Sequence, residues 1–185
     1  MSRVGSANGS GFSVTAYTML KIAYGRPFWK SLGWRPPRSG IILAIAGGPV
    51  LAIAVGIAGN LLHTPIIDTP FRKLLTEPLS VFLFGVFSMI IGPVCEELAF
   101  RGFLMPLLVR SFGAAIGIAG AALPFALLHG DQYAWTWQYV LLVALAGVAF
   151  GWLRYRTGST MASALMHSTY NATFYAAFLV GGAKV

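Results

Sequence analysis

Charge is what this sequence has least of. Charged residues fill 10% of its 185 positions, against about 25% in a typical soluble domain. Such a chain lacks the polar surface to face water on every side. Hydrophobic residues fill 57%, and mean hydropathy is +0.73. Acids are especially scarce, and Asp68, Glu77, Glu96, Glu97 and Asp131 are all of them. Cys95 is the single cysteine, which excludes an intrachain disulfide and leaves the redox compartment open. Nothing in the sequence reads as a nucleic-acid-binding pattern, so the net charge of +8 is assigned to loops that meet anionic lipid headgroups. No nucleic-acid partner is expected. Residues 1–11 read as a flexible tail, without the succession of basic, apolar and small-residue regions that marks a signal peptide. No internal repeat stands out.

What the chain does have is uncharged runs. At roughly 20 residues per span, its length allows five or six helices and little else. The expected fold is all-α, a polytopic transmembrane helix bundle with about five or six hydrophobic segments. An N-terminal tail and basic juxtamembrane segment should occupy 1–40, and the bundle 41–185. Residues 12–24 carry Lys21 and are short for a span, which suits an interfacial helix. Residues 25–40 combine Arg26, Lys30, Arg35 and Arg38 with Trp29 and Trp34. Residues 41–62 are uncharged over 22 positions and read as a span; a loop over 63–78 follows. A continuous helix over 79–110 would be about 48 Å long, well beyond the roughly 30 Å hydrocarbon core, so a break is expected near Gly92-Pro93. Further spans are expected over 111–129, 137–153 and 159–181. If 79–110 crosses once in net, one side holds Arg3, Lys21, Arg26, Lys30, Arg35, Arg38, Arg110, Arg154 and Arg156, and the other only Arg72, Lys73 and Lys184. That bias places the N-terminus in the cytoplasm, and a short chain without a signal peptide suits a prokaryotic cytoplasmic membrane.

Polar residues inside or at the ends of these spans are few and spaced in pairs. A charge at mid-span costs about 2.5–3.5 kcal/mol on insertion scales, so such residues face a bundle interior or wet cavity and mark function by default. Glu97 and Arg101 are i,i+4 and can pair on one helix face. Phe125 and His129 share that spacing, as do His167 and Asn171. Two adjacent acids with one arginine leave one carboxylate over, a candidate general base. An antiparallel hairpin of 94–110 and 111–129 would bring Glu96 and His129 to one depth. A carboxylate, two imidazoles and an amide can together deprotonate a water and donate hydrogen bonds to an oxyanion.

Three motifs now stand in order on separate apolar segments. Glu96-Glu97-Leu98-Ala99-Phe100-Arg101 fits EExxxR, Phe125-Ala126-Leu127-Leu128-His129 fits FxxxH, and His167-Ser168-Thr169-Tyr170-Asn171 fits HxxxN. Together they resemble the CAAX-protease and bacteriocin-processing family of intramembrane endopeptidases, over about residues 79–181. The resemblance implies an intramembrane endopeptidase acting on a peptide or membrane-protein substrate. It implies Glu96 as catalytic base, Glu97 as the partner of Arg101, and His129 as the residue that orients the water. His167 and Asn171 would stabilise the oxyanion, with Phe125 packed beside His129. Glu96, His129 and His167 are also the candidates for holding a zinc ion; no obligate metal is expected, and HExxH is absent. Nothing in the sequence indicates a prenylated substrate.

Two other classes compete. A proton-coupled transporter would use the same acids and histidines as a relay, although transporters often carry paired halves. A non-catalytic immunity or scaffold protein would use them to bind a partner within the bilayer. The oligomeric state is not legible.

Overall fold

A computed structural model describes residues 25, 27–67 and 77–181. The tail over 1–11, the interfacial helix expected over 12–24, Asp68, Arg72, Lys73 and Lys184 lie outside the described residues. Among the described residues seven α-helices run in order: α1 Phe28–Ser31, α2 Ile41–Leu61, α3 Pro78–Val86, α4 Gly92–Glu97, α5 Met105–Leu128, α6 Trp137–Thr157 and α7 Thr160–Gly181. No strand occurs among the described residues.

Apolar bulk faces outward. On α2 the side chains of Ile42, Ile45, Val50, Ile53 and Ile57 are exposed, while Ala44, Gly48 and Ala52 are buried. Those three small residues are four apart, so they form one stripe, and α2 packs along α7. The approach is close: a Cβ added to Gly48 would stand 2.5 Å from the Met166 carbonyl oxygen and 2.6 Å from the Tyr170 amide nitrogen. Small residues inside and large ones outside is the pattern of helices that pack in lipid. Among the described residues three helical stretches are long and apolar enough to cross a membrane: Ile41–Leu61, Pro78–Leu128 and Trp137–Thr157.

The stretch Pro78–Leu128 contains the main departure from expectation. No break occurs at Gly92-Pro93. Instead the helix passes through two π-helical turns, Phe87–Ile91 and Leu98–Leu104, that flank α4. The reason is local. In the first π turn the Gly92 N–H donates to the Phe87 carbonyl, five residues back. In that register residue 93 would donate to the Ser88 carbonyl, but proline has no N–H. The orphaned Ser88 oxygen accepts from Asn171 Nδ2 on α7 instead, at 2.7 Å. A side chain from another helix thus completes the ladder, and the proline does not end the helix.

The chain turns at Gly113. Its φ of 82° and ψ of 171° suit glycine and few others. Beyond it the second limb of α5 folds back on the first, with Gly117 against the Val109 backbone and Gly120 against Leu108. The expected hairpin is present, with its turn at Gly113 and its first limb continuous with α3 and α4. Counting the two limbs separately, the described residues form five long helical rods, within the expected five or six. Basic residues collect at one end of it: Arg35 Nε donates to the Gly158 carbonyl at 3.0 Å, and Arg110 and Arg154 border one cleft. At the other end Tyr139 donates to the Pro65 carbonyl at 2.9 Å, and Trp135 Nε1 donates to Asp131 at 2.7 Å.

Candidate active site

The second π turn and α4 carry Glu96, Glu97 and Arg101 into the bundle between α5, α6 and α7. Glu97 and Arg101 are both fully buried and pair at 3.0 Å through Arg101 Nη1. A buried charge pair survives only when its remaining polar atoms are also satisfied, and here most are. Arg101 Nη2 donates to the Gly147 carbonyl at 2.7 Å. The guanidinium lies 4.4 Å from the ring centroid of Phe125 and 5.5 Å from that of Phe150, within the range of cation–π attraction. Its Nε has no partner among the described residues. On the other side Glu97 Oε2 lies 2.5 Å from Ser163 Oγ, and Oε1 lies 3.1 Å from His167 Nδ1. Glu97 therefore joins three elements. With three donors already around it, it is not the free carboxylate.

Glu96 is. Its side chain is one-third exposed, and it faces both imidazoles: Oε1 lies 3.9 Å from His129 Nε2, and Oε2 lies 3.7 Å from His167 Nε2. Both rings are oriented from behind. His129 Nδ1 stands 2.8 Å from the Phe125 carbonyl oxygen, which can only accept, so that nitrogen carries a proton. His167 Nδ1 meets the Glu97 carboxylate, and the ring is stacked on Phe150 with centroids 4.5 Å apart. Each histidine thus spends Nδ1 on a fixed acceptor and turns Nε2 toward Glu96. Phe125 packs between Arg101, His129 and His167, with ring centroids 4.8 Å and 5.8 Å from the two imidazoles.

The structure therefore gathers Glu96, Glu97, Arg101, His129, His167 and Phe125 in one cluster. Asn171 is on the same face of α7 as His167, one turn on, and one of its amide hydrogens is held by Ser88. Sequence reasoning missed Ser163. The row Ser163, His167, Asn171 at i,i+4 spacing was the available signal. It also missed Tyr133, on the turn Asp131–Tyr133. Burial, then the neighbouring Tyr139 and Glu96, raise the Tyr133 phenol above its ordinary value, which places it within electrostatic reach of the base. Cys95 is a free, partly buried thiol. His63 lies two residues past the end of α2, with a positive φ of 51°.

Ligands on a tetrahedral zinc at about 2.0–2.1 Å lie roughly 3.3 Å apart, and both Glu96–imidazole separations are wider. Among the described residues no group of three His, Cys, Asp or Glu side chains is drawn together at metal-binding spacing.

A family model described as Type II CAAX prenyl endopeptidase Rce1-like matches residues 78–173, just over half of the 185-residue chain. No curated protein and no solved structure matches the chain.

Proposed function

The chain belongs to the Rce1-like family of type II CAAX prenyl endopeptidases, a membrane protease family, and on that premise we propose that it hydrolyses a peptide bond within the bilayer with water activated by Glu96. The observation that carries this reading is the convergence of Glu96 with two imidazole Nε2 atoms, at 3.9 and 3.7 Å. These separations are too long for direct hydrogen bonds. They suit a water about 2.8 Å from each partner.

In this reading Glu96 takes a proton from the water as its oxygen attacks the scissile carbonyl carbon. His129 Nε2 accepts the second water hydrogen and fixes the direction of attack, since Nδ1 is held by Phe125. His167, protonated at both nitrogens, keeps Nδ1–H on Glu97 and donates Nε2–H to the oxyanion. The second N–H of Asn171 is the further candidate donor. When the tetrahedral intermediate collapses, Glu96 returns its proton to the leaving amine. Positioned donors of this kind contribute about 2.7–4 kcal/mol each to transition-state stabilisation. Glu97 and Arg101 touch no reacting atom in this scheme; they hold His167 and the α4 backbone in place. The substrate is a peptide or a membrane-protein segment, and the prenyl group in the family description is not carried over to it. The basic end of the bundle is assigned to the cytoplasm by its charge.

The test is cleavage of an internally quenched peptide library by the protein in proteoliposomes. Wild-type protein should cleave, and should keep its activity in a chelator. Glu96→Gln should lose cleavage by a factor of 100 or more, on the order of a removed general base, while folding normally. Full activity in Glu96→Gln defeats the reading. Proton flux that this substitution abolishes, without peptide cleavage by the wild type, favours the carrier alternative; an unchanged phenotype without cleavage favours the scaffold.

A further inference from the structure

At the basic end, away from Glu96, the loop after α1 meets the junction of α6 and α7 in a cleft of about 640 Å³. Trp29, Lys30, Trp34, Arg35 and Arg154 line it. The two guanidiniums are fixed by neutral acceptors. Arg35 Nε donates to the Gly158 carbonyl at 3.0 Å, and Arg154 Nε donates to Thr160 Oγ1 at 2.8 Å. Thr160 Oγ1 in turn donates to the Leu32 carbonyl at 2.6 Å, and Thr160 N donates to the Gly33 carbonyl at 3.0 Å. The loop is thus tied to α7 from both sides. The terminal nitrogens of Arg35 and Arg154 have no protein partner among the described residues.

No carboxylate among the described residues pairs with them. The first acid in the sequence is Asp68, and none of the ion pairs among the described residues involves Lys30, Arg35 or Arg154. Three like charges around one cleft repel each other and call for an anion. Guanidinium forks match a tetrahedral oxyanion with two parallel N–H bonds. The tryptophans narrow the choice. Trp29 is 53% exposed, and its ring stands 5.8 Å from that of Trp34. Exposed indole rings beside basic residues at a helix end are the usual membrane-interface anchors. Phosphate coordination beside an interfacial apolar platform fits an amphiphile better than a free ion.

We propose that this cleft binds the phosphodiester of an anionic glycerophospholipid, with Arg35 and Arg154 on the phosphate, Lys30 at its rim and Trp29 against the glycerol and upper acyl chain. The site is separate from the Glu96 cluster and does not depend on the hydrolase reading.

The test uses the full chain in vesicles of phosphatidylcholine mixed with phosphatidylglycerol, followed by release into detergent and native mass spectrometry. Wild-type protein should retain phosphatidylglycerol in preference to phosphatidylcholine. A basic residue near an anionic surface contributes about 1 kcal/mol, or roughly fivefold in affinity. Lys30→Gln and Arg35→Gln should each reduce retention about fivefold, and together roughly twenty- to thirtyfold. Arg38→Gln, which removes the same charge outside the cleft, should retain lipid as wild type does. The three substituted residues are exposed, so the variants should fold, and their tryptophan-monitored unfolding checks this. Equal loss in Arg38→Gln shows non-specific attraction and overturns the site. So does equal retention of the two lipids by wild type. Displacement of bound phosphatidylglycerol by millimolar inorganic phosphate overturns the lipid assignment in favour of a small-anion site.

Discussion

Replacing Arg101 by methionine should destabilise the protein severely, and the structure says why. Glu97 has no exposed surface, and the Arg101 guanidinium is its permanent countercharge. Methionine fills much of the same space between Phe125 and Phe150 but leaves the buried carboxylate without its guanidinium and the Gly147 carbonyl without its donor. Breaking a buried pair in this way costs about 3–5 kcal/mol. For a chain of this size 1 kcal/mol corresponds to roughly 2–4 °C in Tm, so Tm should fall by roughly 6–20 °C. The neutral double variant Glu97→Gln, Arg101→Met removes the stranded charge and should recover more than half of the loss. Thermal unfolding in detergent, followed by tryptophan fluorescence, reads both. Cleavage should stay low in the double variant, because His167 there loses its anionic support from Glu97. A fall below about 2 °C in Arg101→Met would mean that water or lipid reaches Glu97, and a double variant no better than the single would mean that the charge is not the cause. Either result refutes the buried-pair argument.

Two further predictions concern residues that act through others. Asn171→Ala leaves the Ser88 carbonyl unpaired, which should destabilise by about 1–3 kcal/mol; in a Pro93→Ala background, where residue 93 regains an N–H, the same substitution should do much less, and a thermal double-mutant cycle measures the difference. Ser163→Ala removes a hydrogen bond to a buried carboxylate and should lower stability by about 1.5–3 kcal/mol, reducing turnover of the quenched peptide with little change in KM because Ser163 meets Glu97 rather than substrate.

Much of the site was legible because its parts lie at helical spacing. Glu97 with Arg101, and Phe125 with His129, are each one turn apart, and a hairpin between 94–110 and 111–129 was enough to bring Glu96 to His129. The apolar runs were legible because α2 shows mainly isoleucine, leucine, valine and alanine to its surroundings. Pro93 misled because a proline ends a helix only if the orphaned carbonyl finds no other donor. That donor, Asn171, lies 83 positions beyond Ser88, and no local pattern signals it. Arg35 and Arg154 were read as separate loop charges, since nothing local joins a residue before the first span to the end of a later one.

Atomic-resolution crystallography of the protein in a lipid phase, with anomalous data collected at the zinc edge, decides whether Glu96 and the two imidazoles hold a water or a metal ion. A single solvent peak is expected about 2.8 Å from the Glu96 carboxylate and from the Nε2 atoms of His129 and His167, without anomalous signal. A Glu96 side chain turned toward the acyl chains, or an ordered zinc bound by the two imidazoles, would contradict it.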